Sequence, residues 1–135
     1  MRTKLLPFAV LLSTLAIAGC GSDDKSSPAA GAGDSDEVRA VIKDLGTSAR
    51  DGDGDRICEE LFTSNLRISV ARASGTTCAK EVRANLFSDD TTFDVTSVDI
   101  DGNTATAKVT DQRDRASDLV LFSQDDGSWR IARIG

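Results

Sequence analysis

The apolar residues of this chain change period once, near residue 90, and that change decides which folds are open to it. From Val38 to Leu86 they recur every three or four positions, whereas from Phe93 onward they alternate. Helices followed by a run of strands joined by tight turns define an α+β domain with an antiparallel sheet.

The helical half divides into four pieces. Val38, Val41, Ile42, Leu45 and Ala49 line one face of a first helix, and Asp34 with Glu37 three residues on has the form of a capping box. Gly52 and Gly54 end that helix. A second helical turn, capped by Asp53 or Asp55, directs Ile57, Cys58, Leu61 and Phe62 inward. Thr63 or Ser64 caps a third piece, 65–73. There Leu66, Val70 and Ala73 suit a helix, while Leu66, Ile68 and Val70 suit a strand; helix is the reading taken. Ser74-Gly75-Thr76-Thr77 breaks it, and Thr77 caps a fourth piece with Cys78, Val82 and Leu86 on one side.

In the second half, Phe93 and Val95 share one face while Val98 and Ile100 share the opposite phase, which predicts a bulge near Thr96-Ser97. Asp101-Gly102-Asn103 marks a hairpin. Ala105, Ala107 and Val109 turn inward along the second strand, and the polar residues 111–117 form a loop. The third strand faces the core with either Leu119 and Leu121 or Val120 and Phe122. Asp126-Gly127 then turns the chain into a fourth strand, Trp129 to Ile134.

The amino terminus carries a different kind of signal. Arg2 and Lys4 precede an apolar stretch from Leu5 to Ile17, and small residues lead into Cys20. That is the layout of a secretory signal, and the stretch is short for a membrane span. Ile17-Ala18-Gly19-Cys20 resembles the lipobox of bacterial lipoproteins. The resemblance implies cleavage before Cys20, a diacylglycerol thioether on its sulfur and usually acylation (palmitate) of the new amino terminus. The alternative is an ordinary signal peptide in which Cys20 has no role. The expected organisation is a signal peptide at 1–19, a lipidated cysteine with a flexible tether at 20–33, and one domain at 34–135. Such a tether spans about 20 Å, so the domain is expected at the extracytoplasmic face of the cell membrane, held there by the lipid on Cys20.

Composition narrows the chemistry. Cleavage would remove Arg2 and Lys4 and no acidic residue, taking the formal charge from −6 to −8. Such a surface repels nucleic-acid phosphates and anionic lipid heads, so no nucleic-acid partner is expected. With Cys20 acylated, Cys58 and Cys78 remain as an even pair in an oxidising compartment. A disulfide between them is the natural reading, with two free thiols or a metal pair as alternatives. It would close a loop of about 20 residues, worth about 3 kcal/mol, and bring the Cα atoms to about 4.4–6.8 Å. The chain contains no histidine and no tyrosine. Histidine-dependent triads and imidazole metal ligands are therefore excluded, and acid–base work would fall to Asp, Glu or Lys.

Asp51-Gly52-Asp53-Gly54-Asp55 imitates the start of a calcium loop, but Arg56 holds the glycine position and Phe62 that of the bidentate glutamate. A turn between helices needs Gly and Asp in any case, so no metal and no cofactor are expected.

Val38–Leu45, Cys58-Glu59-Glu60-Leu61-Phe62-Thr63, Gly75–Cys78 and the terminal Gly127-Ser128-Trp129-Arg130-Ile131 together are similar to small secreted or lipid-anchored members of the nuclear transport factor 2-like superfamily, many of them actinobacterial. The resemblance covers about 100 residues. It implies a cone in which helices lean on a curved antiparallel sheet, with the terminal Trp packed inside. Fuller members carry more strands, so the pocket implied here is shallow or filled. Isomerases and cyclases of that superfamily lean on an Asp base with Tyr, Asp or His partners. Here Tyr and His are missing, and Asp94, Asp99 and Asp118 read as strand or turn residues, so no catalytic residue is carried over.

The leading expectation is a non-enzymatic, lipid-anchored accessory module that binds a small apolar ligand or an envelope protein. If the cone holds a cavity, Phe62, Phe93, Phe122 and Trp129 would line it; all four serve equally well as core. The alternatives are an isomerase- or cyclase-like enzyme using Asp carboxylates in an apolar pocket, and a purely structural envelope lipoprotein.

Overall fold

The protein is described by a computed structural model over residues 32–135. The signal segment, Cys20 and nearly all of the expected tether lie outside these residues. Helix α1 (Ala32–Arg50) leads to α2 (Gly54–Arg56), which runs on as a π-helical turn, Ile57–Leu61. Then come α3 (Ser64–Ser74) and α4 (Cys78–Glu81), the latter continued by a second π-helical turn, Val82–Leu86. Four strands complete the chain: β1 (Phe93–Asp101), β2 (Thr104–Asp111), β3 (Ala116–Ser123) and β4 (Trp129–Ile134). They pair in sequence order as an antiparallel meander, so the fold is α+β.

Local chemistry accounts for most boundaries. The Asp53 carboxylate accepts from the Arg56 N–H at 3.0 Å, Thr63 Oγ1 from the Leu66 N–H at 3.2 Å, and Thr77 Oγ1 from the Lys80 N–H at 3.3 Å. Gly75, at φ 69°, closes α3 in the left-handed conformation. Residues 65–73 are thus helical. Asp34 lies inside the first turn of α1 instead of capping it, because the helix already includes Ala32 and Gly33. Each π turn ends with a phenylalanine N–H reaching back five residues: Phe62 to the Ile57 carbonyl at 2.9 Å, Phe87 to that of Val82 at 3.2 Å.

The core lies between the helices and one face of the sheet. Val38, Ile42 and Leu45 of α1, Ile57 and Phe62 from the second helical segment, and Ala105, Ala107, Leu119, Leu121 and Ile131 from the sheet are all fully buried. Pairing of Ala105 with Leu121 and of Ala107 with Leu119 settles the phase of β3: Leu119 and Leu121 point inward, Val120 and Phe122 outward. The bulge in β1 falls between Val95 and Ser97, and a second register shift, between Val120 and Leu121, leaves Ala132 of β4 without a partner. Beyond its pairing with β3, β4 is joined by the second helical segment: the Thr63 N–H donates to the Ile131 carbonyl at 2.8 Å, and Phe62 bridges Ile131 in parallel. Two expectations are corrected. Leu86 is 39 % exposed because the π turn rotates it off the Cys78–Val82 side, and Ala73 is exposed at the end of α3.

Cys58 and Cys78 form a disulfide with Cα atoms 6.1 Å apart, tying the first π turn to the start of α4. The two segments approach so closely beside it that a Cβ on Gly54 would overlap the backbone of Ala79. Gly54→Ala is therefore expected to destabilise by about 1–3 kcal/mol or more, as overpacking does, read as a lowered urea midpoint with the disulfide still formed.

Candidate functional site

An aromatic site lies where the end of the second π turn meets the β2–β3 loop. Here Leu86, Phe87, Phe93 and Ile134 meet Gln112, Arg113 and Arg115 around a cleft of about 410 Å³. Phe87 and Phe93 stack edge to face with ring centres 6.0 Å apart. Both rings are half-buried, so they form a floor that a ligand reaches.

Two turns hold this floor in place. In the Ser88–Thr91 turn the Ser88 N–H donates to Thr91 Oγ1 at 3.0 Å, and the Thr91 N–H to the Ser88 carbonyl at 3.1 Å. Arg50, at the end of α1, donates to the Thr91 carbonyl at 3.1 Å, and Gln112 accepts from the Thr92 N–H at 3.2 Å. Across the cleft, the Asp111 carboxylate organises the loop. It accepts from the N–H groups of Arg113 at 2.8 Å and Arg115 at 3.0 Å, and from the Arg115 guanidinium at 2.6 and 2.8 Å. The Arg115 side-chain bond, joined by these N–H groups, lowers the Asp111 pKa to about 2. The carboxyl holds its proton less tightly folded than unfolded, so the clamp is complete above the ordinary carboxylate range and lost as pH falls toward 2. Arg113 meets no carboxylate among the described residues, which leaves its guanidinium at the rim.

The aromatic residues expected to line a common wall are not brought together. Phe93 is in the cleft. Phe62 is fully buried core, Trp129 is 5 % exposed at the far end of the sheet, and Phe122 is 46 % exposed on the outer face. Phe122 is therefore no part of an inner wall, because the register with β2 turns it outward. The sequence reading missed Phe87, Leu86, Ile134 and Arg113. The polar loop and the apolar end of the helical half are visible in the sequence, but their meeting depends on tertiary placement.

The carboxylates weighed as bases lie elsewhere: Asp94, Asp99 and Asp118 are exposed on strand positions whose neighbours point to the core. Of the calcium-like run, Asp53 caps α2 and Asp55 pairs with Arg83 at 3.5 Å. No group of three potential metal ligands forms among the described residues. Compared with protein-family models, with curated proteins and with solved structures, the chain gives no match.

Proposed function

We propose that this chain is a non-enzymatic binding module, lipid-anchored through Cys20 on the extracytoplasmic side, which holds a small ligand in the Phe87–Phe93 cleft. The observation that carries the reading is an aromatic floor left accessible beside a guanidinium without a carboxylate partner among the described residues. Such a site suits an apolar body with one acidic or strongly accepting group. We also read the fold as a small nuclear transport factor 2-like cone. Its support is the order of helices before meander, the bulges, which bend strands, and the Trp129 strand at the end.

Two measurements test the reading. Cys20→Ser should release the protein from membranes and abolish lipid labelling; a membrane-bound, lipid-labelled variant would overturn the anchor. Anilinonaphthalene sulfonate, an aromatic body with an anionic group, should bind the folded protein at one site. Arg113→Ala and Phe93→Ala should each weaken it by roughly tenfold, about 1.4 kcal/mol, with the far-UV spectrum unchanged. Binding indifferent to both variants, or none, would remove the cleft as a ligand site and favour a structural envelope role.

A further inference from the structure

A separate groove, of about 510 Å³, runs between α1 and the turn joining β3 to β4. Its floor is apolar, made by Val41, Leu61 and Trp129. Its rim sets the carboxylates of Glu37, Asp44, Glu60 and Asp126, the last within reach of the Arg130 charge, against a single lining cation, Arg56. That cation is already engaged, with Asp44 at 3.1 Å and Glu60 at 3.6 Å. The rim therefore keeps a net negative charge over an apolar base.

Trp129 supplies an independent observation. It is 95 % buried, yet its indole N–H donates to no acceptor among the described residues, and no fully enclosed side-chain polar atom there lacks a partner. The N–H therefore keeps some access to solvent, on a residue that lines the groove.

A matching occupant carries positive charge, an apolar portion and a hydrogen-bond acceptor. A polyamine lacks the acceptor, and an anion is repelled by the rim. A basic peptide has all three: a backbone carbonyl for the indole, an aliphatic side chain for the floor, and cations for Glu37 and its neighbours. We propose that this groove docks a lysine- or arginine-bearing segment of another protein. The chain's formal charge of −6 favours the approach of such a segment. The proposal does not depend on the cleft at the opposite end of the sheet.

The test uses residues 20–135 with Cys20→Ser and a fluorescein-labelled heptapeptide of alternating lysine and leucine. Anisotropy should show saturable binding that weakens as salt rises to about 1 M, where screening reaches about 3 Å. Unlabelled peptide should shift the emission of Trp129, the single tryptophan of the chain. Glu37→Lys with Glu60→Lys should weaken binding by roughly tenfold or more. Trp129→Phe, which keeps the apolar floor and removes the N–H, should weaken it as well while the fold persists. Equal binding of a glutamate–leucine peptide, or full binding by both variants, would overturn the proposal. Binding that appears only after removal of residues 20–31 would assign the groove to the chain's own segment. An emission shift driven by protein concentration alone would assign it to a second copy.

Discussion

Replacing both Cys58 and Cys78 with alanine is expected to lower the free energy of unfolding by about 2–5 kcal/mol, the usual effect of losing a native disulfide from a small domain. Both sulfurs belong to buried residues, 3 and 5 % exposed, so the cost combines chain entropy with a packing defect. The segment inside the loop makes the effect large. Helix α3 contains no buried residue and leans on the rest only through half-buried side chains such as Leu66 and Val70. Hydrophobic burial alone gives α3 little hold, and the covalent tie keeps both of its ends near the core. Urea unfolding checks this: the midpoint should fall, and extra opening of α3 in the native state should lower the m-value. A free energy of unfolding within about 0.5 kcal/mol of wild type, the level of a neutral surface change, would mean that the helical layer holds itself together.

Trp129→Ala is expected to cost about 3–5 kcal/mol, in the range of large aromatic deletions from cores. Trp129 opens β4 directly after the Asp126–Ser128 turn, in which the Asp126 carboxylate accepts from the Ser128 N–H at 2.9 Å and from its hydroxyl at 2.6 Å. Gly127 sits in that turn at φ 83°, a conformation that suits glycine. The turn fixes where β4 starts, and the indole fills the end of the core beside Leu61. Truncation would leave a void there. Trp129→Phe should recover most of the loss, because a ring refills the void and the indole N–H donates to no acceptor among the described residues. Because the chain has no other tryptophan, circular dichroism is the measure for both variants.

How much of this was legible in the sequence follows from how local each determinant is. The buried face of α1, the Thr77 cap, the bulge at Thr96 and the Gly127 turn rest on residues within one or two turns of each other and were readable. The caps at Asp53 and Thr63 were each narrowed to two residues, Asp53 or Asp55 and Thr63 or Ser64, between which the structure chooses. The disulfide was readable from cysteine arithmetic. The phase of β3 was not, because Leu119, Val120, Leu121 and Phe122 are all apolar and only the pairing with Ala105 and Ala107 chooses between two faces. Leu86 was misplaced because a helical period of 3.6 was carried through a segment that winds as a π turn. The cleft stayed hidden for a further reason: Phe87 and Arg113 lie far apart in sequence, and each looks ordinary alone.

The two borders of the sheet are closed to different degrees. On β4 the outer margin is occupied, since Thr63 and Phe62 lie against Ile131 and extend the hydrogen bonding past the last strand. On β1 no residue is fully buried, and among the described residues its free margin receives one side-chain hydrogen bond, from Arg39 to the Val95 carbonyl at 3.1 Å. Within the sheet, partial opening is therefore expected to begin at β1 rather than at β4, because local unfolding follows the least buried contacts. The same margin is where a foreign strand would add. Asp94, Asp99 and Asp101, together with the bulge, give that margin the charge and irregularity that protect exposed strands from such pairing.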